Sequence, residues 1–183
     1  MNASISPITD YKEVKPHYCK RIVWYFVNAT LFRLCATRWL RRWRNILLRL
    51  FGAKVHPQAH VYASVKVFAP WNLVLERSLI GPNVILYNKA LIHIGMDSTV
   101  SQRTTICTAS HNVSSPKMEL VIKPVTVGEQ VWIASEVFVG PGVELGEGVV
   151  VGARAAVFRS VKPWTIVGGN PAKEIKKRIL SDS

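Results

Sequence analysis

The chain has 183 residues, enough to bury one sizeable core, so a single architecture should account for most of it. Its formal charge of +13 is uneven: residues 1–54 carry eleven Lys/Arg against two Asp/Glu, and the remaining 129 carry thirteen against nine. Three scattered cysteines, Cys19, Cys35 and Cys107, show no CxxC spacing, which argues against a disulfide framework or a zinc site and leaves a reducing, cytoplasmic setting as the default.

Met1 to Pro16 carries Asp10, Glu13 and several polar residues where a signal peptide would need an apolar stretch, so none is expected. Ile22 to Phe32 is mostly apolar, but it is far shorter than the roughly 20 residues that span a bilayer. Tyr18 to Phe51 contains neither Gly nor Pro, and Leu40, Trp43, Leu47 and Leu50 recur at helical spacing beside Arg38, Arg41, Arg42, Arg44 and Arg49. The spacing predicts one or two amphipathic helices, closed by Gly52, in a basic segment 1–54. Two readings of that segment stand. Its Trp and Leu stripe suits helices packed on the body with solvated arginines, whereas a basic helix lying on an anionic membrane surface would make the protein peripheral to the inner face of a membrane. No nucleic-acid reader motif accompanies the arginines, so nucleic acid is not expected as a partner.

After Gly52 the pattern becomes a repeat of six. Aliphatics stand at Val127, Ile133, Val139, Leu145, Val151 and Val157, followed by Gly128, Ala134, Gly140, Gly146, Gly152 and Phe158. Four residues after each aliphatic come Val131, Val137, Val143, Val149, Ala155 and Val161, so a second position keeps the same phase. Earlier turns share the register less tidily through Val55, Val61, Val67, Leu73, Ile80, Leu86, Ile94, Val100 and Ile106. A period of six predicts a triangular parallel β-helix over residues 55–168, with each hexad supplying one short strand and one corner. The aliphatics point inward, and small neighbours let the chain turn. Residues 111–125 break the period and are expected to protrude as a loop, and 169–183 are expected to form a helical tail. The pattern alone leaves the hand of the coil open.

Val125–Val161, together with Gly169-Asn170-Pro171-Ala172-Lys173, resembles the hexapeptide-repeat acyltransferases, a left-handed β-helix family. Ser101-Gln102, Ile106 to His111, Lys123-Pro124 and Val131-Trp132-Ile133-Ala134 are more narrowly similar to the colanic-acid biosynthesis acetyltransferases, relatives of the galactoside and maltose acetyltransferases. The resemblance covers roughly residues 55–178. It implies an all-β fold behind an N-terminal helical segment, a homotrimer with active sites between subunits, acetyl-CoA as donor, and a sugar or polysaccharide-precursor hydroxyl as acceptor.

It also implies residue roles. His111 matches the family's catalytic position, and chemistry supports this: a hydroxyl is a poor nucleophile at neutral pH, so acetyl transfer needs a base that titrates near 7. Close relatives often have Asp after this histidine where Asn112 stands, so another group, such as a backbone carbonyl, is expected to orient the imidazole. Tyr87 and Asn88 resemble the acceptor-contacting site. Trp132 and Ala153 match positions beside the pantetheine arm, and Ser135 matches the residue whose backbone N–H faces the thioester oxygen. Arg159, Lys173 and Lys176 match cationic positions near the nucleotide phosphates. Cys107 stands at a small-residue position of the repeat and is expected to pack rather than act as a nucleophile.

Three alternatives compete with this reading. A carbonic anhydrase of this fold would need three histidines around a metal, but only His93 and His111 have suitable spacing and position 116 is Pro116, so no metal is expected. A serine acetyltransferase would use the same donor and base behind a longer helical domain. A non-catalytic scaffold would have no reason to combine His111, Trp132 and the Gly169–Ala172 turn.

Overall fold

The computed structural model describes residues 17–34 and 41–180; the Met1–Pro16 stretch and Cys35, Arg38 and Leu40 lie outside them. Helices α1 (Tyr18–Ala29) and α2 (Arg41–Leu50) precede a run of short strands. The first coil holds β1 (Lys54–Val55), β2 (His60–Val61) and β3 (Lys66–Val67). The second holds β4 (Leu73–Leu75), β5 (Leu79–Ile80) and β6 (Ile85–Tyr87), and the third β7 (Ile92–Ile94), β8 (Thr99–Val100) and β9 (Thr105–Cys107). A hairpin of β10 (Ala109–His111) and β11 (Leu120–Ile122) follows. The fourth coil is β12 (Val125–Val127), β13 (Trp132–Ile133) and β14 (Phe138–Val139), and the fifth is β15 (Glu144–Leu145), β16 (Val150–Val151) and β17 (Ala156–Val157). A partial sixth coil carries β18 (Thr165–Gly168), on which β19 (Lys173–Lys177) folds back.

Every third strand joins the same sheet, which gives three faces. The first is β1-β4-β7-β12-β15, the second β2-β5-β8-β13-β16-β18-β19 and the third β3-β6-β9-β14-β17. Within the coils every ladder is parallel, such as Trp132 and Ile133 beside Val150 and Val151. This is the parallel β-helix that the six-residue period predicts. The inward column on the second face, Val61, Ile80, Val100, Ile133 and Val151, is fully buried. Each coil alone would expose its apolar side; stacking buries it at roughly 25 cal/mol per Å².

The small residues of the repeat have a steric reason. A Cβ on Gly95 would stand 2.7 Å from the backbone of Gly128 in the next coil, and one on Gly128 would meet Glu147 N at 2.9 Å. Backbone meets backbone along this corner, so a side chain there would pry the coils apart.

The helices close the open end of the stack. The lowest strand of each face presents unpaired carbonyls, which attract stray strands if left bare. Trp24 Nε1–H donates to Val67 O at 2.7 Å, Arg44 Nε–H to Val61 O at 2.7 Å, and Arg49 Nη2–H to Val55 O at 2.6 Å. One donor thus serves each of the three faces, and Asn45 adds Ala59 O at 2.8 Å. The inner faces of both helices are thus packed on the body, and Arg44 is buried in the cap and not solvated.

Two expectations are corrected. The tail is not helical: Lys173–Lys177 pairs antiparallel with Thr165–Gly168, because the edge of β18 would otherwise be bare. The 111–125 segment is a β-hairpin more than a loop, with Ala109 opposite Ile122 and His111 opposite Leu120. The solenoid also begins at Lys54, one residue before the expected boundary.

Candidate active site

His111 ends the outgoing strand of the hairpin, which leaves the stack at the edge between the third and first faces, after β9 and before β12. Its imidazole is exposed, and Nδ1 lies 2.6 Å from the carbonyl oxygen of Met118 across the hairpin. A carbonyl can only accept, so Nδ1 must carry the proton, and the neutral ring offers a bare Nε2 outward. The orienting group is thus a backbone carbonyl, as the sequence suggests. Asn112 serves the hairpin instead, where its Oδ1 accepts from Ser114 N–H at 3.2 Å and tightens the turn.

Tyr87 lies on the same edge one coil below, paired with Cys107. Its ring is 4.9 Å from that of Phe68, in the coil below that. Thr108, fully buried, ties the hairpin's base to this coil: its hydroxyl donates to Tyr87 O at 3.0 Å and accepts from Ala90 N–H at 2.9 Å. The acceptor-contact expectation for Asn88 is corrected. Asn88 is completely buried, and its amide donates to Ala69 O and Asn72 O while its carbonyl accepts from Ala69 N–H, so it clips two coils together. A buried clip and a ligand contact use the same amide, and sequence alone does not separate them. Cys107 is half-buried with its thiol on Ala109 O, as a packed residue should be.

The expected donor-side residues other than Arg159 gather at or beside the next edge, between the second and third faces. Ser135 and Ala153 occupy the same corner of the fourth and fifth coils, joined by Arg154 N–H donating to Ser135 O at 2.9 Å. The Gly169–Ala172 turn sits above, with Ala156 N–H donating to Gly169 O and Ala172 N–H to Ala156 O. Lys173 follows this turn and is exposed, as is Lys176. Trp132 lies three residues before Ser135, half-exposed on the second face, with Nε1–H on Ser101 Oγ at 3.1 Å. Among the described residues the Ser135 N–H has no hydrogen-bond acceptor. A linear ligand laid along this edge would therefore meet an indole, a free amide donor and cations in turn.

A carboxylate ladder stiffens the same corner. Glu136 accepts from Arg103 below and from Arg154 Nε–H above at 2.7 Å. These two guanidinium hydrogen bonds, Arg154 first, hold the Glu136 carboxyl below its ordinary range. A depressed folded-state value means the contribution is present above the ordinary glutamate range and lost as pH falls through the lowered value. Glu136→Gln should therefore lower the melting temperature at pH 7, with the gap from the parent closing below about pH 4 and shrinking in high salt. A gap independent of pH would mean that the ladder does not stabilise this corner.

His111 and Ser135 do not meet within one chain. A whole face of the prism, about 13 Å of extended strand, separates their edges. Arg159, after β17, lies on the His111 edge and so stands apart from Lys173 and Lys176.

No family model matches the chain. It is 42% identical over 161 residues, 87% of its length and 88% of the relative's, to a protein of Escherichia coli (strain K12) named as a colanic acid biosynthesis acetyltransferase, WcaF. The hexapeptide-repeat acetyltransferase VCA0836 of Vibrio cholerae superposes with a TM-score of 0.78 at 26% identity, over 87% of this chain and 90% of that one. The Vibrio protein is also known in complex with acetyl coenzyme A. A maltose O-acetyltransferase of Clostridium difficile 630 gives 0.75 at 25% identity, covering 88% of each chain. With its six-residue period built as stacked coils and its length matched to these relatives, the chain belongs to the hexapeptide-repeat acetyltransferases.

Proposed function

We propose that the protein transfers an acetyl group from acetyl-CoA to a hydroxyl of a sugar or polysaccharide precursor, with His111 as general base. The observation that carries this is the 2.6 Å contact of His111 Nδ1 with Met118 O, which leaves Nε2 as the basic nitrogen. Nε2 takes the proton as the acceptor oxygen attacks the thioester carbonyl carbon. The Ser135 N–H stabilises the oxyanion, an effect typically worth about 3 kcal/mol. Collapse of the tetrahedral intermediate breaks the C–S bond, and the departing thiolate is protonated by the imidazolium. No covalent enzyme intermediate is needed, and Cys107 takes no part.

The pantetheine arm lies along the Trp132, Ser135 and Ala153 edge, and Lys173 and Lys176 of the same copy meet the phosphates, with Arg159 coming, like His111, from the neighbouring copy. Tyr87 faces the acceptor; Asn88 is withdrawn from that role. Since one face of the prism separates His111 from Ser135, the base is supplied by a neighbouring copy, which supports a homotrimer with intersubunit sites. The reaction belongs in the cytoplasm, where acyl-CoA is made. Purified protein given acetyl-CoA and a panel of free sugars, oligosaccharides and sugar nucleotides should release coenzyme A thiol only with a hydroxyl-bearing sugar acceptor. Thiol release driven by serine alone, or by nothing in the panel, would end this reading.

A further inference from the structure

The outer surface of the two helices has no use in the site just described. On α1, Trp24, Val27 and Asn28 are buried against the solenoid, while Tyr18, Ile22, Val23, Tyr25 and Phe26 cover the opposite side. A surface helix ordinarily turns charge to the solvent; this one turns mostly apolar side chains outward, beside the cations Lys20 and Arg21 near its start. Tyr25 is 78% exposed and Phe26 66%, far too open for a packed role within the chain. The patch continues: Leu34 beyond α1 is 70% exposed, and Trp43 Nε1–H donates to Leu31 O at 3.1 Å, which joins α2 to the same surface. On α2, Arg42, Ile46 and Leu50 share one exposed stripe at i, i+4 and i+8, with Leu50 73% exposed.

Charge identifies the occupant. From His17 to Lys54 there are nine Lys/Arg and not one Asp or Glu. Among them, Lys20, Arg33 and Arg42 are exposed; Arg42 stands on the stripe with Ile46 and Leu50, while the Lys20 ammonium lies over the Trp71 ring. A second copy of this chain would bring the same acid-free segment or a body that is itself net positive, gathering like charges at the contact. A nucleic acid would match the cations but leave Ile22, Phe26, Ile46 and Leu50 without an apolar counterpart. An anionic lipid surface meets both: headgroups for the cations, the acyl boundary for the aliphatic and aromatic side chains.

We propose that α1 and α2 lie as an interfacial anchor on anionic membrane, holding the β-helix end-on. The cap geometry suits this, because Trp24, Arg44 and Arg49 bind the first coil by side-chain bonds and leave the outer faces of both helices uncommitted.

The test uses the full chain with vesicles of phosphatidylcholine alone or mixed with one quarter phosphatidylglycerol, read by co-flotation, and solution mass measured in parallel. The parent should float with the mixed vesicles and not with the neutral ones. Ile22→Asp and Phe26→Asp, on open positions where the fold is untouched by circular dichroism, should each lower partitioning at least tenfold. Arg42→Gln should lower it about fivefold, an effect that raised salt reproduces. Failure of the parent to float, equal flotation of the Asp variants, or flotation on neutral lipid alone would each overturn the proposal. So would a fall in oligomer mass in Phe26→Asp with flotation unchanged, which would make the patch a contact between copies. None of these readings involves turnover, so they stand or fall apart from the acetyl-transfer assay.

Discussion

His111→Ala should cut turnover by about 10² to 10⁴, the usual worth of a placed general base, while coenzyme A binding and oligomer mass stay near those of the parent. The expectation follows from placement: the imidazole is exposed on the hairpin and contributes to no buried contact, so its removal costs the chemistry and little else. Steady-state thiol release measures the loss, and titration calorimetry with coenzyme A tests whether the donor site survives. A companion substitution sharpens the assignment. Met118 contributes only its main-chain oxygen, so Met118→Ala should keep most of the activity, where loss of a side-chain orienter would not. Full activity in His111→Ala would remove the base, and a collapse of coenzyme A affinity would mean the residue is structural.

Ile133→Ala should cost about 2–5 kcal/mol of stability, read as a lowered urea midpoint with unchanged slope. Ile133 is completely buried at the centre of the second face, in register with Val100 below and Val151 above. Neighbouring coils are held by strand bonds and cannot collapse into the vacated volume, which places the cost toward the upper end. Because Ser135 stands two residues on, the same substitution should weaken acetyl-CoA binding before the protein unfolds. A loss under about 1 kcal/mol would show that the stack repacks more freely than its fixed strand spacing allows.

The solenoid is readable from the chain because a single spacing sets both the burial and the turning of every coil. Val127 to Val157 at steps of six need no other input, and the corner glycines such as Gly128 agree with them independently. His111 is legible through its resemblance, since nothing in an isolated histidine declares a base. Three things are not legible. Asn88 reads as a ligand contact because its clip partners, Ala69 and Asn72, are sixteen to nineteen residues away and come beside it only when the coils stack. Lys173–Lys177 reads as helical because alternation of charge and a single Ile175 is too little to reveal a strand that exists only to cover β18. The role of Arg44 as a cap donor is hidden for a related reason: a charged residue on a basic helix is ordinarily solvated, and only the bare carbonyl of Val61 pulls it inward.

A stack of coils has no inherent length, and here guanidinium and indole groups decide where it starts. Splicing three more hexads into the middle of the stack would leave both extremities dressed and simply move the hairpin along the prism axis. Prefixing them before Lys54 would instead create a new lowest ring whose carbonyls lack Trp24, Arg44 and Arg49. Growth of this protein, by natural duplication or by engineering, is therefore an operation on its interior.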